Sequence, residues 1–248
     1  MQEQIPLGLY TYCILQGEEN GKLEANGIGN GTVYTINYRD ISAVVSDIPF
    51  KKIEPKMDDI VAHNRVIEAA RNAGIVLPIR YGVIFRNEDG ARKLLRASYK
   101  NFKSKLVKLR GRDEMGVKIV LEKKAMEKIE HKLKRESAEA QKITKELSTA
   151  DQGASYFLKL KLDDIVKNEA MNKISQISDE TFRKLAELSE DSRVLKSELD
   201  QIAMNSVYLV RTEKQEEFNQ LVASLERKYR DMGLAFHVSG PWAPYSFC

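Results

Sequence analysis

The sequence predicts an α+β protein of two domains. Of its 248 residues, 42% are hydrophobic and 31% charged, which suits packed cores and not a disordered chain. Short β-rich runs alternate with stretches of helical period. From Met115 onward the order strand, helix, strand, strand, helix, strand reads as ferredoxin-like, with the first helix elongated or doubled into a hairpin. The expected division is an N-terminal sheet-and-helix domain over 1–112, a ferredoxin-like domain over 113–240, and an apolar tail over 241–248 that docks on the domains.

"LGLYTYCIL", Leu7 to Leu15, is rich in β-formers and reads as a strand. Gly17 to Gly31 reads as loop. Within it "GIGNG" has the wrong spacing for a dinucleotide fingerprint and is expected to be flexible. Thr32–Asn37 and Ile41–Ser46 form an expected hairpin. A helix follows over Lys56–Ala73, with Met57, Ile60, Val61, Ile67 and Ala70 inward and Gly74 as its stop. "IVLPIRYGVIF" then runs extended to Phe85. Asn87 caps a helix over Glu88–Leu109, whose inner face carries Ala91, Leu94, Leu95, Ser98, Phe102, Leu106 and Leu109 and which Gly111 ends.

Met115–Leu121 is the next strand. Met126, Ile129, Leu133, Glu136, Ala140, Ile143 and Leu147 step by three and four, a heptad seam flawed at Glu136. Only three heptads are present, so the expected partner is a helix of the same chain. "YFLKLKL" alternates like a strand, but Leu162, Ile165, Val166, Ala170, Ile174 and Ile177 are helical. The prediction is a helix over Ser155–Leu188, with a break near Ser178. Arg193–Leu199 and Met204–Arg211 read as strands. Thr212 and Gln215 read as a capping box for a helix carrying Phe218, Leu221, Val222, Leu225, Tyr229 and Met232, which Gly233 stops. Leu234, Phe236 and Val238 alternate in a last strand.

Signatures of catalysis are scarce. The sequence has no phosphate loop, no GxSxG elbow and no HExxH zinc site. His63 is expected to share a face with Ile67 and Ala70 and to be held by a hydrogen bond. His131 reads as solvated, and His237 as pointing to the opposite face of the last strand. Asp58-Asp59 and Asp163-Asp164 read as helix-terminal or surface charge. Cys13 reads as buried filler, and Cys248 forms no metal spacing with it. No catalytic, cofactor-binding or metal-binding residue is expected. The start lacks a signal-peptide pattern, and no apolar run reaches the roughly 18 residues that cross a bilayer, so a soluble intracellular protein is expected.

The formal charge is +4, yet Arg86 to Arg112 alone holds ten Lys or Arg against Glu88 and Asp89, a local excess of +8. The plain reading is a solvated helix face. A surface for an acidic partner, built on Arg92, Lys93, Arg96, Lys100 and Lys103, is the second. RNA binding is a third, although the aromatic RNP1 pattern is absent. A small-molecule enzyme or sensor on the ferredoxin-like sheet near His237 is a further alternative.

The ending "SGPWAPYSFC" is unusually apolar for a chain end. Its prolines cut the entropy lost on docking, and Trp242, Tyr245 and Phe247 are large anchors. Two readings stand: the tail packs back on its own domains and fastens them, or it contacts a partner. Arg80 and Tyr81 in "LPIRYGVIF" carry the same alternatives, Arg80 as an internal ion pair or hydrogen-bond donor, or as a partner contact.

Several segments together resemble the GvpF/GvpL family of gas vesicle proteins. They are "LYTYCIL", "ISAVVSDIP", "HNRVIE", "LPIRYGVIF", "GASYFLKLKL" and "SGPWAPYSF", in the family's order over nearly the whole chain. "LPIRYGVIF" and "GPWAPYSF" are the specific ones. The glycine-bearing loop Gly17 to Gly31 and the terminal Cys248 depart from the pattern. The resemblance implies a non-catalytic, two-domain accessory protein of gas vesicle formation with a ferredoxin-like C-terminal part. It implies the main shell protein, and other gas vesicle accessory proteins, as partners. It implies no cofactor, nucleic acid or membrane, and a place at the gas vesicle in the cytoplasm, with the shell's gas-facing side as an open alternative.

Overall fold

The computed structural model describes residues 6–17 and 23–248; the start of the chain and part of the loop expected over 17–31 lie outside these. The chain forms two compact units. One runs to Glu114 and takes in Pro241–Cys248; the other is Met115–Gly240. The boundary expected at 112/113 and this division both fall within one strand, Arg112–Leu121.

The N-terminal unit contains strands β1 (Leu7–Gln16), β2 (Val33–Tyr38), β3 (Ile41–Pro49), β4 (Val76–Pro78) and β5 (Ile84–Phe85). Its helices are α1 (Met57–Ala73), α2 (Glu88–Ala97) and α3 (Tyr99–Leu109). The strand order is β2-β3-β1-β4, with β5 also on β1. Strand β1 is antiparallel to β3, β4 and β5 alike, in registers such as Ile14↔Leu77 and Tyr10↔Ile84. A bulge between Thr11 and Cys13 shifts the β1–β3 register. It lets consecutive Tyr12 and Cys13 join one core cluster, into which α1 sends Val66, Ile67 and Ala70.

Four expectations for this unit are corrected. First, α1 buries His63, Val66, Ile67 and Ala70, while Met57 and Val61 are 74% and 46% exposed. The inward stripe is the 63/66/67/70 row, and a histidine can stand in it because Tyr10 supplies a hydrogen bond. Second, "IVLPIRYGVIF" is not continuous. Strands β4 and β5 flank a turn in which Gly82 takes φ +92°, a left-handed conformation that suits glycine. Third, the helix over 88–109 is two helices. Ser98 sits at φ −103°, ψ 10° between them, so that Leu95 before it and Leu106 after it are both fully buried. Asn87 does cap the first, accepting from the Gly90 N–H at 3.1 Å. Fourth, "GIGNG" is a built turn. Ile28 is buried and its N–H donates to the Tyr12 hydroxyl at 2.9 Å. A Cβ on Gly27 would collide with that hydroxyl, so only glycine fits there.

The C-terminal unit holds β6 (Arg112–Leu121), α4 (Ala125–Glu136), α5 (Ala138–Leu147), α6 (Gln152–Ala186), β7 (Asp191–Val194), β8 (Ile202–Arg211), α7 (Gln215–Tyr229) and β9 (Leu234–Trp242). Its strand order is β7-β8-β6-β9. The core combines Val117 and Ile119 of β6, Tyr208 and Val210 of β8, Leu185 of α6 and Phe218 of α7. Burial of such side chains contributes about 1.5–3 kcal/mol each. Helices α4 and α5 pack on α6, with Ile129 against Ala170 and Ile174.

Here α6 is unbroken. Ser178 does not interrupt it because its hydroxyl donates to the Ala203 carbonyl at 3.0 Å, outside the helix. The heptad seam is instead cut at Ser137, which caps α5 through Ala140 and donates to Glu169 at 2.9 Å. "YFLKLKL" lies inside α6, started by Asp151 accepting from the Ala154 N–H at 2.8 Å. Strand β7 ends at Val194, not Leu199. After Leu195 bonds Asn205 the segment leaves the sheet, and Leu199 is exposed. A 3-10 turn at Thr212–Lys214 precedes α7, whose N-cap position, Lys214, offers no side-chain cap. Strand β9 continues past Val238, which is exposed, to Trp242.

Candidate functional site: the C-terminal segment on helix α1

Helix α1 carries Asn64, Glu68 and Arg71 at i, i+4 and i+7, so they line one face. The C-terminal segment lies on that face. The Tyr245 hydroxyl donates to Asn64 Oδ1 at 2.7 Å, and Arg71 donates to the Pro241 carbonyl at 3.4 Å. Glu114, itself buried, accepts from the Ser246 N–H and from its hydroxyl, both at 2.8 Å. Arg71 also pairs with Glu68 and Asp113, at 3.2 and 3.5 Å. Charge-assisted bonds to a half-buried backbone are the strong kind.

The segment divides its side chains. Ala243 and Phe247 are 1% and 4% exposed, Ala243 as part of the unit's core cluster, whereas Trp242 and Tyr245 are 53% and 36% exposed. Trp242, Tyr245, Asn64 and Glu114 border a cavity of about 440 Å³.

Beneath the segment is an aromatic nest. His63 Nδ1 and the Tyr10 hydroxyl are 2.8 Å apart, and the rings of Tyr10, Tyr12, Tyr81 and Tyr245 surround the imidazole at 5.6–6.2 Å. Burial holds the His63 pKa down at about 4, against a weaker opposing influence of the Ile79 backbone. Burial likewise raises Tyr10, Tyr12 and Tyr245, and pushes the Cys13 thiol up. Tyr81 is half-buried and donates to the Glu54 carbonyl at 3.3 Å.

Arg80 is exposed and makes no ion pair among the described residues, contrary to its internal reading. It lines a second cavity with Tyr245. The structure therefore brings Arg80, Tyr81, Trp242, Tyr245 and Phe247 into one region. Sequence reasoning missed Glu114 and the Asn64–Glu68–Arg71 row; the helical spacing within and beyond "HNRVIE" was the available signal.

The basic run is partly consumed by its own unit. Lys103 and the Tyr99 hydroxyl both donate to Asp40 in the β2–β3 turn. This holds the Asp40 carboxyl below its usual value, Lys103 being the larger cause. Arg92 donates to the Asn37 carbonyl at 3.0 Å and to Glu88 at 3.2 Å. Arg96 lies 5.9 Å from the Tyr38 ring, while Lys93 and Lys100 are exposed. His131 and His237 are exposed. Among the described residues no cluster of three or more His, Cys, Asp or Glu could hold a metal, and no helix is long and apolar enough to cross a membrane.

Among the described residues these features define a mixed α/β protein with two antiparallel sheets and seven helices, its aromatic C-terminal segment seated on α1. The chain belongs to the gas vesicle synthesis protein GvpL/GvpF family, whose model matches residues 8–248. It is 27% identical over 243 residues to gas vesicle protein F of Haloferax mediterranei, covering 96% of this chain and 92% of the relative. It is 24% identical over 258 residues to gas vesicle protein L of a Streptomyces species, covering 96% and 91%. The crystal structure of GvpF from an Anabaena species superposes with a TM-score of 0.80 at 22% identity, over 97% of both chains. That of GvpF from Microcystis aeruginosa gives 0.71 at 20%, over 97% and 98%. Membership places the chain among proteins of gas vesicle formation.

Proposed function

We propose that this chain is a non-catalytic accessory protein that binds the apolar main shell protein and assists assembly or nucleation of the vesicle wall, on its gas-facing side. The observation that carries this reading is large apolar side chains left in water on a well-packed protein. Tyr156, Phe157 and Leu160 of α6 are 63%, 73% and 48% exposed, within one helical turn of each other. A shell subunit with a gas-facing apolar face is an aggregation hazard before assembly. Covering about 400 Å² of such a face contributes about 10 kcal/mol before the cost of association, without ATP.

The C-terminal unit is read here as ferredoxin-like. The order β7-β8-β6-β9, with α6 and α7 both feeding one core, supports that reading. In the tail, Phe247 and Ala243 seat the segment on its own unit and Trp242 acts as a partner contact, as their opposite exposures suggest.

The test is capture of purified shell protein by the full chain. Wild type should retain it. Phe157→Ser with Leu160→Ser, and separately Trp242→Ala, should weaken retention while melting temperatures stay put. A folded wild-type chain that ignores the shell protein, or that retains RNA in a salt-sensitive way instead, overturns the proposal.

A further inference from the structure

We infer that the N-terminal unit holds a receptor cavity for an acidic side chain carried on a short apolar peptide segment. The cavity measures about 550 Å³ and lies where β4 and β5 part along β1. The Ile79 N–H donates to the Tyr12 carbonyl at 2.9 Å and the Thr11 N–H to the Val83 carbonyl at 3.0 Å. These two bonds close the neck of the excursion that carries Arg80, opposite the β1 bulge. Bulges of this kind re-aim side chains beside binding sites.

Three properties of the wall select the occupant. Most of it is apolar, with Pro78, Val83 and Phe102. Arg80 and Lys105 both line it, as do Tyr245 and the last residue, Cys248; no aspartate or glutamate does, and neither cation has a carboxylate partner among the described residues. Arg71, Arg92 and Lys103 of the same unit all have one. The third property is Thr11, also in the wall: it is fully buried, and its hydroxyl has no hydrogen-bond partner. A buried hydroxyl left unpaired is costly, and an entering acceptor relieves that cost. Two cations without a carboxylate partner, beside apolar walls and a buried donor, complement a carboxylate flanked by apolar residues. A phosphate chain matches the charge but not the walls. The choice of a peptide as the carrier rests on the shell-protein reading above.

The probe is the blocked peptide Ac-Val-Leu-Glu-Leu-Val-NH2, titrated into the full chain by calorimetry beside its Gln analogue and inorganic phosphate. The Glu peptide should bind at least ten-fold more tightly than the Gln peptide, and phosphate should not compete. Arg80→Gln and Lys105→Gln should each weaken the Glu peptide several-fold and lessen its salt dependence. Thr11→Val should weaken it while raising the melting temperature of the free protein, a pairing that general damage does not produce. Equal binding of the Glu and Gln peptides, no effect of either cation variant, or displacement by phosphate overturns the inference. Shell-protein capture by the Arg80→Gln, Lys105→Gln double variant keeps the two claims apart. Undiminished capture sinks the cavity as a shell site and leaves the accessory function standing. Failure of the wild type to capture sinks the function, and the peptide titration still judges the cavity.

Discussion

Around His63 the N-terminal unit packs four tyrosine rings; the hydroxyls of Tyr10 and Tyr12 have buried partners, and that of Tyr245 bonds the exposed Asn64. The C-terminal core is mostly aliphatic with Phe218, Phe236, Tyr208 and Tyr229, and its buried polar groups include Ser206, bonded to Tyr208, and Thr181. Its charge network lies at the surface, where Glu180 accepts from Lys184, Lys228 and Tyr229. The difference is one of mechanism. A core held partly by polar contacts responds to a changed donor, acceptor or proton, whereas an apolar core responds to lost volume. The two units should therefore fail under different insults.

The largest effect is expected from Phe218→Ala in the apolar core. It should cost about 3–5 kcal/mol, nearly independent of pH, read as a loss of hydrogen-exchange protection confined to residues 115–240. Loss that spreads equally through both units would break the comparison.

Next comes acid. The imidazole of the unfolded chain titrates near 6.5 and that of the folded chain near 4, so unfolding takes up a proton as pH falls between these values. His63 thus contributes stability in full above about pH 6.5, and that contribution is lost as pH drops to 4, by about 3 kcal/mol. Denaturant melts at several pH values should show this slope in the N-terminal unit. His63→Gln should flatten it, and an unchanged slope in that variant assigns it elsewhere.

Gly27→Ala pushes a methyl into the Tyr12 hydroxyl, which Ser46 and the Ile28 N–H already hold. About 2 kcal/mol of destabilisation is expected, with the Tyr12 environment altered in NMR spectra. A neutral outcome would show that this nest yields more than its geometry implies.

The smallest effect sharpens the contrast. Lys184, then Lys228 and Tyr229, hold the Glu180 carboxyl down at about 2. The site is a third exposed, so screening keeps its worth below about 1 kcal/mol. Glu180→Gln should shift the melting temperature by a few degrees at most, with the difference vanishing as pH falls from about 4.5 toward 2.

Much of this architecture was legible. Periods of two and of three to four residues located most strands and helices, Gly74 and Gly233 marked ends, and Asn87 marked a start. Misreadings have local causes. "YFLKLKL" alternates, but a long helix seeded at Asp151 absorbs it and leaves its aromatics in water. Ser98 and Ser137 interrupt helices whose apolar rows run on, while Ser178, the expected break, finds its acceptor elsewhere. For the candidate site, the aromatic anchors and Arg80 were visible in the sequence, and the acceptors that seat them were not.

The sequence alone determined the kinds of element and their order, because hydrophobic period and helix-capping chemistry act over a few residues. It also determined the family, through motifs spread over the whole chain. Tertiary structure alone decided which polar groups are satisfied. Tyr10 meets His63 across 53 residues and Glu114 meets Ser246 across 132, so no local pattern encodes either pair. It likewise decided that Lys103 is neutralised while Arg80 and Lys105 are left open, since a charge's partner is set by distance in space and not along the chain.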